Sequence, residues 1–182
     1  MVTQQSALGG KSVDMVLTAI ARDRPGVVES LAEVISKHSG NWVDSSMAQL
    51  GGEFAGIVMV EVPSNSAAKL EDALSALDKK GIDVTVHKAA ASAVPSGTHA
   101  QLELTGLDHT GIVLEVTRTL ARQGVSIDEF SSSISRGSMG AEPMFSAKAD
   151  IILPDGLGID DLRNALETIT ADIMVDIEPA DG

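Results

Sequence analysis

Two short segments carry residue types from which a small-molecule site can be made. Asp23-Arg24-Pro25-Gly26-Val27-Val28 follows an alternating apolar run, and Asp108-His109-Thr110-Gly111-Ile112-Val113 follows another about 85 residues later. In each, a carboxylate and a glycine stand where a helical pattern begins. A helix start exposes unpaired N–H groups and carries partial positive charge. Gly26 and Gly111 lack a Cβ, so a ligand can approach the backbone there, and a ligand carboxylate suits such a place. An ammonium group needs acceptors. Asp44 and Asp128, on the strand after each helix, could supply charged ones, and Asn41 offers both a donor and an acceptor. The set suits a zwitterionic amino acid.

The same residues have structural readings that stand beside the chemical one. Asp23 and Asp108 are suited to cap the helices that follow. The two glycines can serve tight strand-to-helix packing, Asp44 and Asp128 can be solvated strand positions, and Trp42 is suited to anchor packing. His109 is a lone loop histidine, His38 sits near a helix end where it complements the dipole, and the four histidines do not cluster at metal-ligand spacing. No cofactor or metal is expected.

The elements that must position these residues repeat. Val13 to Ala21 alternates as a strand, with Val13, Met15, Leu17 and Ala19 on one face. Val27, Val28, Leu31, Val34 and Ile35 follow at helical spacing, and Ser39-Gly40 ends the helix. Trp42 to Leu50 and Phe54 to Val62 form a hairpin about Gly51-Gly52. A second helix carries Ala67, Leu70, Ala73, Leu74 and Leu77, and Ile82, Val84 and Val86 mark a last strand. The order then recurs, with Ile112, Val113, Val116 and Leu120 on one helix and Leu162, Ala165, Leu166 and Ile169 on the other. Ser126 to Arg136 and Met144 to Leu153 give the second hairpin, and Gly137-Ser138-Met139-Gly140 reads as its flexible loop. Each half is therefore β-α-β-β-α-β, the ferredoxin-like arrangement, with both helices on one face of an antiparallel sheet. Residues 1–11 read as a disordered N-terminus, 12–88 and 99–179 as the two domains, and 89–98, rich in Ala, Ser and Pro, as a linker.

Composition excludes several functions of this fold. The 182 residues contain no Cys, which removes thiolate metal sites, disulfides and a cysteine nucleophile. Aromatics are 2% and the formal net charge is -13. A base-stacking sheet face and a phosphate-neutralising surface are both missing, so neither nucleic acid nor an anionic membrane is a direct partner. No acid, base and nucleophile set accompanies either loop, which leaves a small ferredoxin-like enzyme as the weakest reading. A soluble cytoplasmic protein is expected, because no apolar run has signal-peptide or membrane-span length.

Strand, Asp-x-x-Gly helix start, glycine-ended helix and second strand resemble the signature of amino-acid-binding ACT domains. The residues are Asp23 to Val28 with Gly40-Asn41-Trp42-Val43-Asp44, and Asp108 to Val113 with Gly124-Val125-Ser126-Ile127-Asp128. Two such domains in one chain are similar to the glycine cleavage system transcriptional repressor family, and Gly140-Ala141-Glu142-Pro143-Met144-Phe145 adds to that likeness. The resemblance implies an α+β fold of two ferredoxin-like βαββαβ domains packed together. It implies a regulatory, non-enzymatic protein whose ligand, glycine or serine, sits between the loop of one domain and the start of the second strand of a partner domain. The implied ligand set is Asp23, Arg24, Pro25, Gly26, Val27, Asn41, Trp42 and Asp44, with Asp108, His109, Thr110, Gly111, Ile112, Val125, Ser126 and Asp128. Thr110 replaces the proline, and Val125-Ser126 replaces Asn41-Trp42. Repression would run through a DNA-binding activator, and a homodimer is a further expected partner. A ligand-free ACT subunit of a metabolic enzyme is the alternative.

Overall fold

A computed structural model describes residues 11–89, 96–136, 142–169 and 173–180. The N-terminal residues 1–10, most of the linker and Gly137 to Gly140 lie outside them. The chain divides into two units, Met1–Ser92 and Ala93–Gly182. In the first, β1 (Ser12–Arg22), α1 (Val27–Lys37), β2 (Asn41–Leu50), β3 (Glu53–Pro63), α2 (Ala67–Ser75) and β4 (Ile82–Lys88) follow in order. The second repeats them as β5 (Thr98–Leu107), α3 (Ile112–Arg122), β6 (Ser126–Ser135), β7 (Met144–Leu153), α4 (Ile159–Glu167) and β8 (Met174–Pro179). The sheets are ordered β2-β3-β1-β4 and β6-β7-β5-β8, and every pairing is antiparallel. The repeated βαββαβ fold read from the sequence is present in both units.

Each core lies between one face of its sheet and the two helices. Met15, Leu17, Ala19 and Ala21 alternate inward from β1 and meet Val27, Leu31 and Ile35 of α1 and Leu70 and Leu74 of α2. In the second unit Leu102 and Leu104 meet Ile112, Val116 and Leu120 of α3 and Leu162 and Leu166 of α4. The helical spacing of these residues produces a single apolar stripe per helix. Among the described residues neither core buries a polar or charged residue, so nonpolar burial and shape hold each unit together.

Four readings from the sequence need correction. Val13 is in phase with the core and paired with Val62, but near the start of β1 it is 38% exposed. Val28 and Val113 leave the helix stripe and remain exposed, because one turn of 3.6 residues carries the buried face from Val27 to Leu31 and from Ile112 to Val116. The second helix does not run on through Leu77: it tightens into a 3-10 turn, Ala76–Lys80, that ends at Gly81 in the left-handed region. Neither loop aspartate caps a helix. The N-cap positions are Gly26 and Gly111, at φ 89° and 98°, and no side chain caps either helix.

The fit of one unit onto the other also shifts by one residue after the first helix. The left-handed position closing α1 is Ser39, at φ 60°, and the one closing α3 is Gly124, at φ 72°. The next amide then reaches back to the helix in both, Gly40 N–H to Ile35 O at 2.9 Å and Val125 N–H to Leu120 O at 3.0 Å. Gly40 therefore corresponds to Val125, Asn41 to Ser126, and Trp42 to Ile127. Both strands bulge one position later, between Trp42 and Asp44 and between Ile127 and Glu129. Asp44 thus corresponds to Glu129, while Asp128 is the bulged residue. Val125 is a core side chain, 8% exposed.

Candidate functional site

β1 ends at Arg22 against Glu53, and β2 ends at Leu50 against the same Glu53. The two strands flank β3, each antiparallel to it and so parallel to each other, and the loop after β1 and the last residues of β2 therefore lie at the same end of the sheet. Between them is an open groove of about 450 Å³ lined by Asp23, Gly26, Val28, Glu29, Met47 and Gln49, with Phe54 at its base. The second unit has the corresponding groove, about 720 Å³, lined by Asp108, His109, Gly111, Leu114, Ser133 and Ile134, with Phe145 at its base. A larger concavity of about 750 Å³ lies beside β1, β4 and α2 of the first unit, lined by Val13, Ser64, Ala67 and Val86 among others. It includes the start of α2 at Ala67 but neither a glycine turn nor a loop aspartate; the paired grooves, each with both, are the candidate site.

Gly26 and Gly111 turn the chain from strand into helix with positive φ, a conformation that glycine adopts without a Cβ penalty. Neither helix start has a side-chain cap, so its dipole borders the groove; in the second unit the Ile112 N–H already donates to His109 O at 3.2 Å. Asp23 Oδ2 accepts from Gln49 Nε2 at 2.6 Å, and the Asp23 amide donates to Gly52 O at 3.0 Å. The carboxylate is thereby held across the groove, where it can accept from an ammonium group. Arg24 also lines the groove, and its guanidinium donates to Lys80 O, at the end of the 3-10 turn. Glu29 Oε2 lies 3.8 Å from where a Cβ on Gly26 would stand, so the groove mouth already holds a carboxylate near the dipole.

The second groove differs chemically. Ile134 stands where Gln49 does, so Asp108 has no matching amide partner, and Leu114 replaces Glu29. His109 replaces Arg24. Its Nδ1–H donates weakly to Thr110 O at 3.4 Å, while its Nε2 is buried without a hydrogen-bond partner and lies 3.9 Å from Glu115 Oε2. That separation is too long for a hydrogen bond.

The structure brings together Asp23, Arg24, Pro25, Gly26 and Val27 in one groove, and Asp108, His109, Gly111 and Ile112 in the other with Thr110 in the same loop. It does not bring the second-strand candidates to the groove of their own unit. Asp44 pairs with Met59, which pairs with Val16, six residues before Arg22; at about 3.3 Å per residue that is roughly 20 Å away. Asn41 and Trp42 lie farther still. Ser126 is level with Ile152 and His99, at the far end of β5 from its loop. Trp42 packs half-buried against the first core, and Asp44 Oδ1 accepts from the Ser45 amide at 2.7 Å. Gln49, Met47 and Phe54, with Ser133, Ile134 and Phe145, were not among the expected residues. The signal for them was available: in a βαββ unit the first two strands run parallel and end together.

A family profile of the ACT domain matches residues 14–87, which are nearly all of the described first unit. A UPF0237 protein of Methanopyrus kandleri is 35% identical over 74 residues, 39% of this chain and 82% of that protein. The chain belongs to the ACT-domain family. The glycine cleavage system transcriptional repressor of Escherichia coli is 35% identical over 60 residues, and the aligned stretch spans 33% of this chain and 32% of the repressor. A crystal structure of a protein of unknown function from Galdieria sulphuraria superposes with TM-score 0.80 at 25% identity, covering 94% of this chain and all of that one. A second crystal structure, described provisionally as a glycine cleavage system transcriptional repressor, has TM-score 0.69 at 14% identity over 92% of this chain and 98% of that one, which establishes the shared fold. The ACT fold therefore extends to the second unit, beyond the residues that the profile matches. Among the described residues no helix is long and apolar enough to cross a membrane.

Proposed function

We propose that this ACT-domain protein is an amino-acid sensor, regulatory and not catalytic, that represses transcription by binding a DNA-bound activator. The observation that carries the reading is the duplicated groove in which an uncapped helix start faces an aspartate across a glycine turn. The helix start suits a carboxylate, and Asp23 or Asp108 suits an ammonium. Glycine or serine is the favoured ligand, because the glycine cleavage repressor of Escherichia coli is a relative by sequence. Asn41, Trp42 and Asp44, and Ser126 and Asp128, would take part only as the second-strand contribution of another domain, within the chain or in a homodimer. The net charge of -13 supports action through a protein and not on DNA.

One observation favours the alternative of a ligand-free regulatory subunit of an enzyme: the Glu29 carboxylate already lies beside Gly26. Thermal denaturation against a panel of amino acids separates the two. Sensing requires a rise in melting temperature with glycine or serine that grows with concentration, since a ligand of the folded state stabilises it by mass action. A flat response across the panel favours the ligand-free subunit.

A further inference from the structure

The outer faces of the two sheets, which point away from the helices, are made from equivalent positions but opposite chemistry. On β1 and β3 the outward residues are Val16, Thr18, Ile20, Ala55, Ile57 and Met59, with Ile20 56% and Ile57 55% exposed. On β5 and β7 the matching residues are Gln101, Glu103, Thr105, Ser146, Lys148 and Asp150, and Lys148 pairs with Glu103. The cores, the strand order and the helices are otherwise alike. The second unit shows what this face looks like when it meets water, and the first unit departs from it at nearly every central position.

The apolar centre lies on β1 and β3, two strands about 4.8 Å apart, over some six residues of length, roughly 200 Å² in plan; beside it β4 presents Asp83, Thr85 and His87, and β2 presents Ser46 and Ala48. A stable interface buries about 800 Å² on each partner, so this patch fits the middle of one and the rim must supply the rest. That rim carries Asp14, Asp44, Glu53, Glu61 and Asp83 on outward positions of its strands, against Arg22 as the only Lys or Arg among them. A second copy docked face to face would set these carboxylates against their own kind. The outer face of the second unit, with Glu103, Glu129, Asp150, Asp176 and Glu178 around one lysine, is no better match. Like charges facing each other across an interface oppose association, and opposite potentials favour it.

We infer that the outer face of the β2-β3-β1-β4 sheet is a docking surface for a different protein, one that presents an apolar centre ringed by lysine and arginine. This does not depend on either loop groove holding an amino acid, so the ligand test and the partner test fail separately.

The full-length chain with a photoreactive benzoylphenylalanine at position 57 tests it. After irradiation in extract of its own source cells, the cross-linked protein is identified, purified and titrated against the unmodified chain. The surface requires a distinct protein whose affinity falls at least tenfold with Ile57→Lys, and at least threefold with the double change Asp44→Lys and Asp83→Lys. Binding should weaken as salt rises and should be unmoved by Lys148→Glu on the other sheet. All of these positions are exposed, and thermal melts confirm that the variants fold. Cross-links only to a second copy or to the chain's own second unit overturn the inference. So does the absence of any cross-link, or a partner whose affinity is indifferent to, or strengthened by, the charge reversals.

Discussion

Gly26 and Gly40 stand at the two ends of the same helix for different physical reasons. Gly26 has open space about it, with only Glu29 Oε2 within 4 Å of a built Cβ, but its φ is 89°. Gly26→Ala should cost about 1–2 kcal/mol through backbone conformation alone. Gly40 has no positive φ, yet a Cβ there would stand 2.8 Å from Ile35 Cγ2 and 3.1 Å from Val60 Cγ1. Gly40→Ala should cost about 1–3 kcal/mol through overpacking, and urea denaturation of both variants reads the two losses. Asp23→Ala removes the bond from Gln49 but no helix cap, so its stability loss should stay below about 1 kcal/mol while ligand affinity falls. A loss of 2 kcal/mol in the same assay would mean that Asp23 holds the fold. The loop residues were legible in the sequence because Asp-x-x-Gly after an apolar strand is a local pattern. Gln49, Ile134, Phe54 and Phe145 are legible only through the sheet topology, in which the first two strands end together, and not through local spacing.

The elements repeat closely enough that each unit reports on the other. Leu70 and Leu162 are both 0% exposed, each at the inner face of its unit's second helix. Leu70→Ala and Leu162→Ala should each cost about 2–5 kcal/mol. Hydrogen exchange should show the loss mainly in the altered unit, because each leucine packs within its own core. Equal loosening of both units by either change would contradict independent cores. Alternation and helical spacing gave the strands, helices and most core positions directly. The exceptions are local: the 3-10 tightening at Ala76–Lys80 leaves Leu77 inward, so burial alone could not reveal it. The bulges in β2 and β6 broke the count along the strand, and the glycine alignment of Gly40 with Gly124 hid the true match of Gly40 with Val125. In the first unit the space beside Ile35 and Val60 leaves no room for a side chain, whereas the second unit fills the matching place with Val125.

For the molecule as a whole, the charge of -13 sets what it can meet. Duplex DNA binds proteins largely through released counterions, and an acidic chain releases few. In a gel-shift assay at physiological salt the chain alone should leave promoter DNA unretarded, and should alter retardation only when an activator is present. Retardation by the chain alone would contradict action through a protein. The central claim is that the paired loop grooves bind a small amino acid, and calorimetric titration of glycine, then serine, into the intact chain tests it most directly. The wild-type chain should give saturable heat at millimolar concentration or below, and Gly26→Val or Gly111→Val should each remove the share belonging to its groove while the melt confirms that the variant is folded. No heat from glycine, serine or any other common amino acid at millimolar concentration would contradict the account.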